Sequence, residues 1–253
     1  MRFFKISIEI HPLFYLFMIL SVMTGYLKDF FFITLLITVH ECGHIGMALF
    51  YHWKIERVKL LPLGGLTIFK EDINRPLKEE LMIALAGPGM QLMFYLFFSN
   101  IVIDPVFRHY HILMLLFNLL PVVPLDGSKI ANILMNYHYP FLKSYRGMIG
   151  LSVITIILLM GMIWYLPFNM MFVLIVVFLG IEVFRSIQRQ HYIFNRFLLE
   201  RYQKRYFFHK RRVVRNGFER EMKRDYYHIF YQRENCYSER QILAKRFDFP
   251  RKL

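Results

Sequence analysis

The stretch Phe30–Phe50, FFFITLLITVHECGHIGMALF, places two histidines and a glutamate inside a run apolar enough to cross a bilayer. Crossing ~30 Å of hydrocarbon takes roughly 17–25 mostly apolar residues in a helix. At ~100° per residue, His40 and His44 stand about 40° apart, one turn above the other on one helix face. Two imidazoles so placed can share a zinc ion, with Glu41 beside them as general base. Cys42 lies about 160–200° round from both and is off that face. The spelling HExxH arises often by chance in soluble chains. Within an apolar span, however, ionisable groups are costly and mark function.

The rest of the chain fits that setting. Of 253 residues, 56% are hydrophobic and 18% aromatic, where soluble domains hold ~45–50% apolar residues. This composition excludes a disordered chain, a disulfide scaffold and an ordinary soluble enzyme. Two cysteines, Cys42 and Cys236, cannot build a disulfide framework. A net charge of +14 would suit a nucleic-acid binder, but its distribution does not. From Arg185 onward there are 19 Lys/Arg and 7 Asp/Glu, whereas the first 184 residues carry 13 and 11. That is a membrane protein with a basic tail, and no nucleic-acid partner is expected.

Apolar segments occur at Leu13–Leu27, Phe30–Phe50, Leu81–Ile103, Val106–Leu120, Met148–Leu166 and Phe168–Val183. Counting Lys/Arg in alternate connections puts 30 on one side and only Lys28 and Arg108 on the other. By the positive-inside rule this predicts six spans with both termini cytoplasmic. Arg57–Lys70, RVKLLPLGGLTIFK, has two short apolar runs around Pro62–Leu63–Gly64–Gly65 and reads as a hairpin at the membrane. Gly64 and Gly65 either sit where an extended substrate adds as a strand or belong to a loop that merely packs. The expected fold is an all-α polytopic membrane protein: six transmembrane helices, a small membrane-associated β-hairpin and a short cytosolic tail. Residues 1–185 form the expected transmembrane metalloprotease domain and residues 186–253 the basic cytosolic tail.

A second constellation, Asn118–Gly127, reads NLLPVVPLDG. Pro121 and Pro124 interrupt a helical ladder and leave carbonyls to be satisfied. Asp126, just beyond, can turn back as a third metal ligand, or it caps a kinked helix end in solvent. Asn118 can donate a hydrogen bond to a developing oxyanion or to substrate backbone. Three protein ligands plus water describe a catalytic zinc site. Zinc lowers the pKa of its water from ~15.7 to around 7, and Glu41 can take that proton and return it to a leaving amine. The rival from another class is a membrane metal carrier that uses His40, His44 and Asp126 only for binding. Glu41 favours hydrolysis, because simple binding does not need it.

HECGH and NLLPVVPLDG together resemble the site-2 protease family of intramembrane metalloproteases. LLPLGG at Leu60–Gly65, NRPLKEE at Asn74–Glu80, IALAGP at Ile83–Pro88, RQHY at Arg189–Tyr192 and RFLLERY at Arg196–Tyr202 resemble a bacterial sporulation branch of it. The likeness covers about residues 8–205. It implies one Zn2+ per chain on His40, His44 and Asp126, catalytic Glu41, active-site Asn118 and a substrate-proximal Pro124. It also implies the membrane-associated pro-segment of pro-sigma-K as substrate and the mother-cell membrane surrounding the forespore as location. Two inhibitory membrane partner proteins of the sporulation complex are implied as well. A runner-up within the family is another membrane substrate, such as an anti-sigma factor.

In that branch the tail resembles a cystathionine-beta-synthase (CBS) module linked to ATP. Here only 48 residues follow Arg205, which points to a truncated or degenerate CBS-like module and counts against ATP binding. A strand is expected at Tyr226–Tyr231 and a helix at Ser238–Arg246. The basic, aromatic run from His191 to Arg215 is expected as an interfacial helix on anionic membrane lipid, or as a dock for the substrate's cytosolic body. Gly87-Pro88-Gly89 reads as a kink, and Glu182 as a partner for Arg185. His11, His52, His109, His111, His138 and His191 lack partners at metal spacing and are assigned to interfaces and surfaces.

Overall fold

The structure, a computed structural model, describes residues 7–61, 64–70, 72–98, 104–162, 170–208, 210–215, 218–232 and 235–248. The chain divides into two units, one of residues 1–71 and 81–119, the other of residues 72–80 and 120–253.

The first unit is helical with one small sheet. Helix α1 (Pro12–Thr24) starts on Pro12, and the ring Nδ1 of His11 caps it by accepting from the Leu13 amide. Gly25, at φ +79°, ends it in the left-handed conformation glycine adopts without strain. Helix α2 (Leu27–Phe50) carries HECGH, α3 (Leu77–Phe98) runs through Pro88, and α4 (Pro105–Leu119) packs on α2. Between α2 and α3, β2 (Ile55–Leu61) pairs antiparallel with β3 (Gly64–Phe69), in register Leu60↔Gly65 and Lys59↔Leu66. The tip at Pro62 and Leu63 lies outside the described residues. The expected hairpin has a third strand: β1 (Ser7–Ile10) adds parallel to β2, Ser7 against Arg57. Its four residues, SIEI, are the shortest run over which alternation can announce a strand. Trp53, Ala48 and Ile83 bury together beside this sheet.

The second unit holds α5 (Asp126–His138), α6 (Phe141–Met162) and α7 (Met170–Gln203), followed by a small α/β body. Strand β4 (Lys210–Arg215) pairs parallel with β5 (Tyr226–Gln232), which pairs antiparallel with β6 (Asn235–Ser238). Helix α8 (Glu239–Phe247) follows, with a Ser238/Gln241 capping box. The strand and helix expected in the tail are therefore both present. The description all-α is corrected: among the described residues, two three-stranded sheets accompany the helices.

The basic run is corrected too. It is helical only to Gln203, and part of its apolar surface packs inward. Phe194, Phe197 and Leu198 are buried with Phe141, Leu142, Val214, Met222, Phe230, Ile242 and Leu243. Phe197 stacks on Phe141 at 4.3 Å between ring centres. Composition could not separate a lipid-facing from a protein-facing apolar stripe, since both look alike in sequence.

Two of the sequence motifs meet in this unit across more than 120 residues. Asn74 is buried; its amide donates to the Phe197 carbonyl (3.1 Å) and its Oδ1 accepts from Arg201 Nε (2.6 Å). Glu200 Oε2 accepts from the Ile73 amide at 2.7 Å. The Arg201 guanidinium, almost fully buried, also reaches Glu239 (2.9 Å) and the carbonyls of Tyr226 and Lys223 (3.0 and 2.8 Å). A buried cation is tolerable only when its donors are met in this way. Arg224 pairs with Glu80 at 2.6 Å. Asn74–Glu80 and Arg196–Tyr202 are thus two halves of one polar lock.

Helices α2, α3 and α6 are long and apolar enough to cross a membrane; α1 is apolar but only 13 residues long. The six apolar segments fall on α1, α2, α3, α4, α6 and α7, with residues 99–103 and 163–169 outside the described ones. Glu182 pairs with Arg185 at 2.5 Å, as the spacing suggests.

Candidate metal centre

The site begins with a close approach between two helices. A Cβ on Gly43 would lie 2.3 Å from the Ala86 carbonyl oxygen, so only glycine lets α3 come this near to α2. That proximity brings two α3 groups onto the α2 histidines. The Ile83 carbonyl lies 2.7 Å from His44 Nδ1, and Gln91 Oε1 lies 3.2 Å from His40 Nδ1.

These bonds set both tautomers. A carbonyl only accepts, so His44 carries its proton on Nδ1. Gln91 is fully buried and its Nε2 donates to the His111 carbonyl at 3.1 Å, which turns Oε1 toward His40. His40 Nδ1 must then be a donor as well. Both Nε2 atoms present lone pairs, and they face one another 3.1 Å apart. Two nitrogens ~2.0–2.1 Å from one tetrahedral zinc stand roughly 3.3 Å apart. Two buried, oriented imidazoles converging in this way fit a shared cation, and they carry the outer hydrogen bonds that metal-binding histidines commonly have.

Glu41 lies beside them, 8% exposed. Its Oε2 accepts from the Thr67 hydroxyl of β3 at 2.6 Å. Two residues earlier on the same strand, and so on the same face, Gly65 makes room for the carboxylate. A Cβ there would sit 2.2 Å from Glu41 Cγ and 2.7 Å from Oε1. Gly87 does the same for His44, whose Nε2 would be 2.3 Å from an added Cβ. Gly64 precedes Gly65 at the start of β3, and Asn118 is half-buried in the last turn of α4.

The first unit therefore brings together His40, Glu41, His44 and Gly65. Asp126 and Pro124 belong to the second. Asp126 opens α5, is buried and accepts from Lys129 Nζ at 2.8 Å; a carboxylate in a first helical turn is favoured by the helix dipole. The broken ladder before it is satisfied by buried Ser152, whose hydroxyl meets the Pro121 carbonyl at 3.1 Å and the Val123 amide at 3.3 Å. Pro124 is exposed and follows a cis peptide bond.

Sequence reasoning missed Thr67, Gln91 and the steric role of Gly87. Gln91 had a signal: it is a polar side chain within an apolar span. Thr67 shares strand parity with Gly65, but nothing local said which face meets α2. His111, assigned to an interface, is buried and stacked on Tyr95 at 4.1 Å, and its carbonyl steadies Gln91.

Comparison with known proteins agrees with this chemistry. The model of Peptidase family M50 matches residues 30–107. Stage IV sporulation protein FB of Bacillus subtilis (strain 168) is 35% identical over 207 residues, covering 78% of this chain and 72% of that protein. A zinc metalloprotease of Methanocaldococcus jannaschii is 32% identical over 70% of this chain and 57% of its own length. The solved site-2 protease of Methanocaldococcus jannaschii superposes with a TM-score of 0.55 at 26% identity, covering 74% of this chain and 93% of that one.

Proposed function

The chain belongs to peptidase family M50, and on that premise we propose that it cleaves the membrane-associated pro-segment of a sporulation sigma-factor precursor of the pro-sigma-K type. It is an intramembrane zinc metalloendopeptidase, as its relatives are. The finer reading is that His40, His44 and Asp126 hold the zinc and that Glu41 is the general base. Two imidazoles and one carboxylate are a donor set that suits this metal. The observation that carries the reading is the pair of buried, outwardly bonded imidazoles facing one another beside a buried glutamate.

When bound, zinc supplies Lewis-acid activation of water and of the scissile carbonyl at neutral pH. The chain's own residues do the rest. Glu41 Oε1 takes a proton from the attacking water and returns it to the leaving amine. Asn118 donates to the oxygen on which charge develops. Pro124 and the Gly64–Gly65 strand line the substrate's path, with the strand edge offering backbone hydrogen bonds to an extended chain. In this reading the protein has six spans with both termini cytoplasmic, lies in the mother-cell membrane and is restrained by inhibitory membrane partners.

Co-expression with the pro-sigma-K of the same organism tests it. A shortened product is expected with the natural protein and none with Glu41→Gln, which should keep its zinc. Full cleavage by Glu41→Gln would overturn the role given to Glu41. No cleavage by the natural zinc-loaded protein would overturn the substrate.

A further inference from the structure

We infer that Thr67 is a positioning residue for hydrolysis, its hydroxyl holding the Glu41 carboxylate so that one chosen oxygen handles the proton. The inference rests on reading Glu41 as the general base. A glutamate side chain has three rotatable bonds and several staggered states, so its carboxylate needs an external hold to stay aimed. Among the described residues that hold is the Thr67 hydroxyl, 2.6 Å from Oε2. The length is that of a charge-assisted O–H···O bond, about twice as strong as a neutral one.

The strand enforces the choice of oxygen from two positions on one face. Thr67 engages Oε2, while Gly65, lacking a side chain, leaves Oε1 uncovered; a Cβ there would stand 2.7 Å from it. Oε1 is therefore the atom that accepts and returns the proton. The hydroxyl of Thr67 is what matters, since valine is β-branched like threonine but lacks the donor. Sequence pattern alone would assign Thr67 to an ordinary β-branched strand position.

The test uses the full-length zinc-loaded protein in nanodiscs with Thr67→Val, Thr67→Ser, Glu41→Gln and the Thr67→Val/Glu41→Gln pair. Three quantities are read: zinc per chain, the affinity for acetohydroxamate, and kcat and KM on pro-sigma-K. A hydroxamate chelates zinc and donates its O–H to the neighbouring base, so it reports carboxylate position without needing the natural substrate. Thr67→Val is expected to keep its zinc, to bind acetohydroxamate about 5–10-fold more weakly and to lose about 10–100-fold in kcat at unchanged KM. Thr67→Ser restores both. In the Glu41→Gln background Thr67→Val has no further effect on hydroxamate binding, the signature of two residues acting as one.

Natural affinity and kcat in Thr67→Val would overturn the proposal. So would failure of serine to restore them, or an undiminished further loss in the double variant. If the natural protein leaves pro-sigma-K uncut, the substrate assignment fails, and the hydroxamate cycle still decides the role of Thr67.

Discussion

Gly65→Ala should separate catalysis from metal binding. The added methyl would lie 2.2 Å from Glu41 Cγ, 2.5 Å from Cδ and 2.7 Å from Oε1. Ordinary carbon–carbon contact is ~3.5–4.0 Å, so the glutamate must retreat by more than about 1 Å. It can, because these atoms belong to a side chain rather than to backbone. The cost to folding is then about that of a non-ideal rotamer, ~1 kcal/mol. The cost to chemistry is larger, since a misplacement of about 1 Å in a reacting group costs roughly 100-fold in rate. The assay is cleavage of pro-sigma-K by purified protein in nanodiscs, with zinc per chain and thermal unfolding measured on the same samples. Gly65→Ala should lose at least about 100-fold in kcat with zinc retained. Gly87→Ala is the contrast. Its methyl would meet His44 Nε2 at 2.3 Å, and that ring is tied to the Ile83 carbonyl, so zinc itself should be lost. Turnover by Gly65→Ala within threefold of the natural protein would refute the steric reasoning. Equal loss of zinc in both variants would refute the division of labour between the two glycines.

Two further outcomes are expected. Gln91→Met keeps the volume of a fully buried side chain but removes the group that orients His40. Zinc affinity by chelator competition should fall about 10–100-fold, and an unchanged affinity would mean that Gln91 does not orient the ring. The tail should also loosen in acid. His228 is buried and held neutral: its Nε2 accepts from the Lys223 amide (3.0 Å) while Nδ1 faces Glu239 (3.3 Å). Burial, aided by Arg201, pushes its pKa below the usual value. Burial alone would raise Glu239, but the His228 hydrogen bond and the Arg201 charge bring it below the usual carboxylate range. Both groups bind protons more readily unfolded, so stability is full above about pH 6.5 and falls as pH drops through His228's unfolded pKa, then Glu239's. The protection factors of β5 amides in the full-length protein, taken relative to intrinsic exchange at each pH, should fall between pH 7.5 and 5.5; equal protection at both values would refute this.

What could be read along the chain was whatever one helix or one short run decides by itself. The pairing of His40 with His44 follows from a helical pitch, and the proline break before Asp126 from the missing donors of Pro121 and Pro124. The apolar segments and the strand and helix of the tail follow from local pattern. Asn74–Glu80 and Arg196–Tyr202 were recognisable as motifs, yet nothing in either said that Asn74, Glu200 and Arg201 bind one another. The inward packing of part of the basic run was hidden for the same reason, because Phe197 and Leu198 have the same hydropathy against lipid as against Phe141.

Sequence alone determined the membrane class, the two imidazoles on one face and the glutamate between them, since these depend on composition and helical period. Only tertiary structure decided which nitrogens face inward, which oxygen of Glu41 is held and why Gly43, Gly65 and Gly87 have no side chain. Those are distances from α2 to α3 and to β3, elements that do not adjoin α2 in the chain. A tautomer or a carboxylate orientation is set by the partner across such a gap, Ile83, Gln91 or Thr67, and no period within one segment encodes that partner.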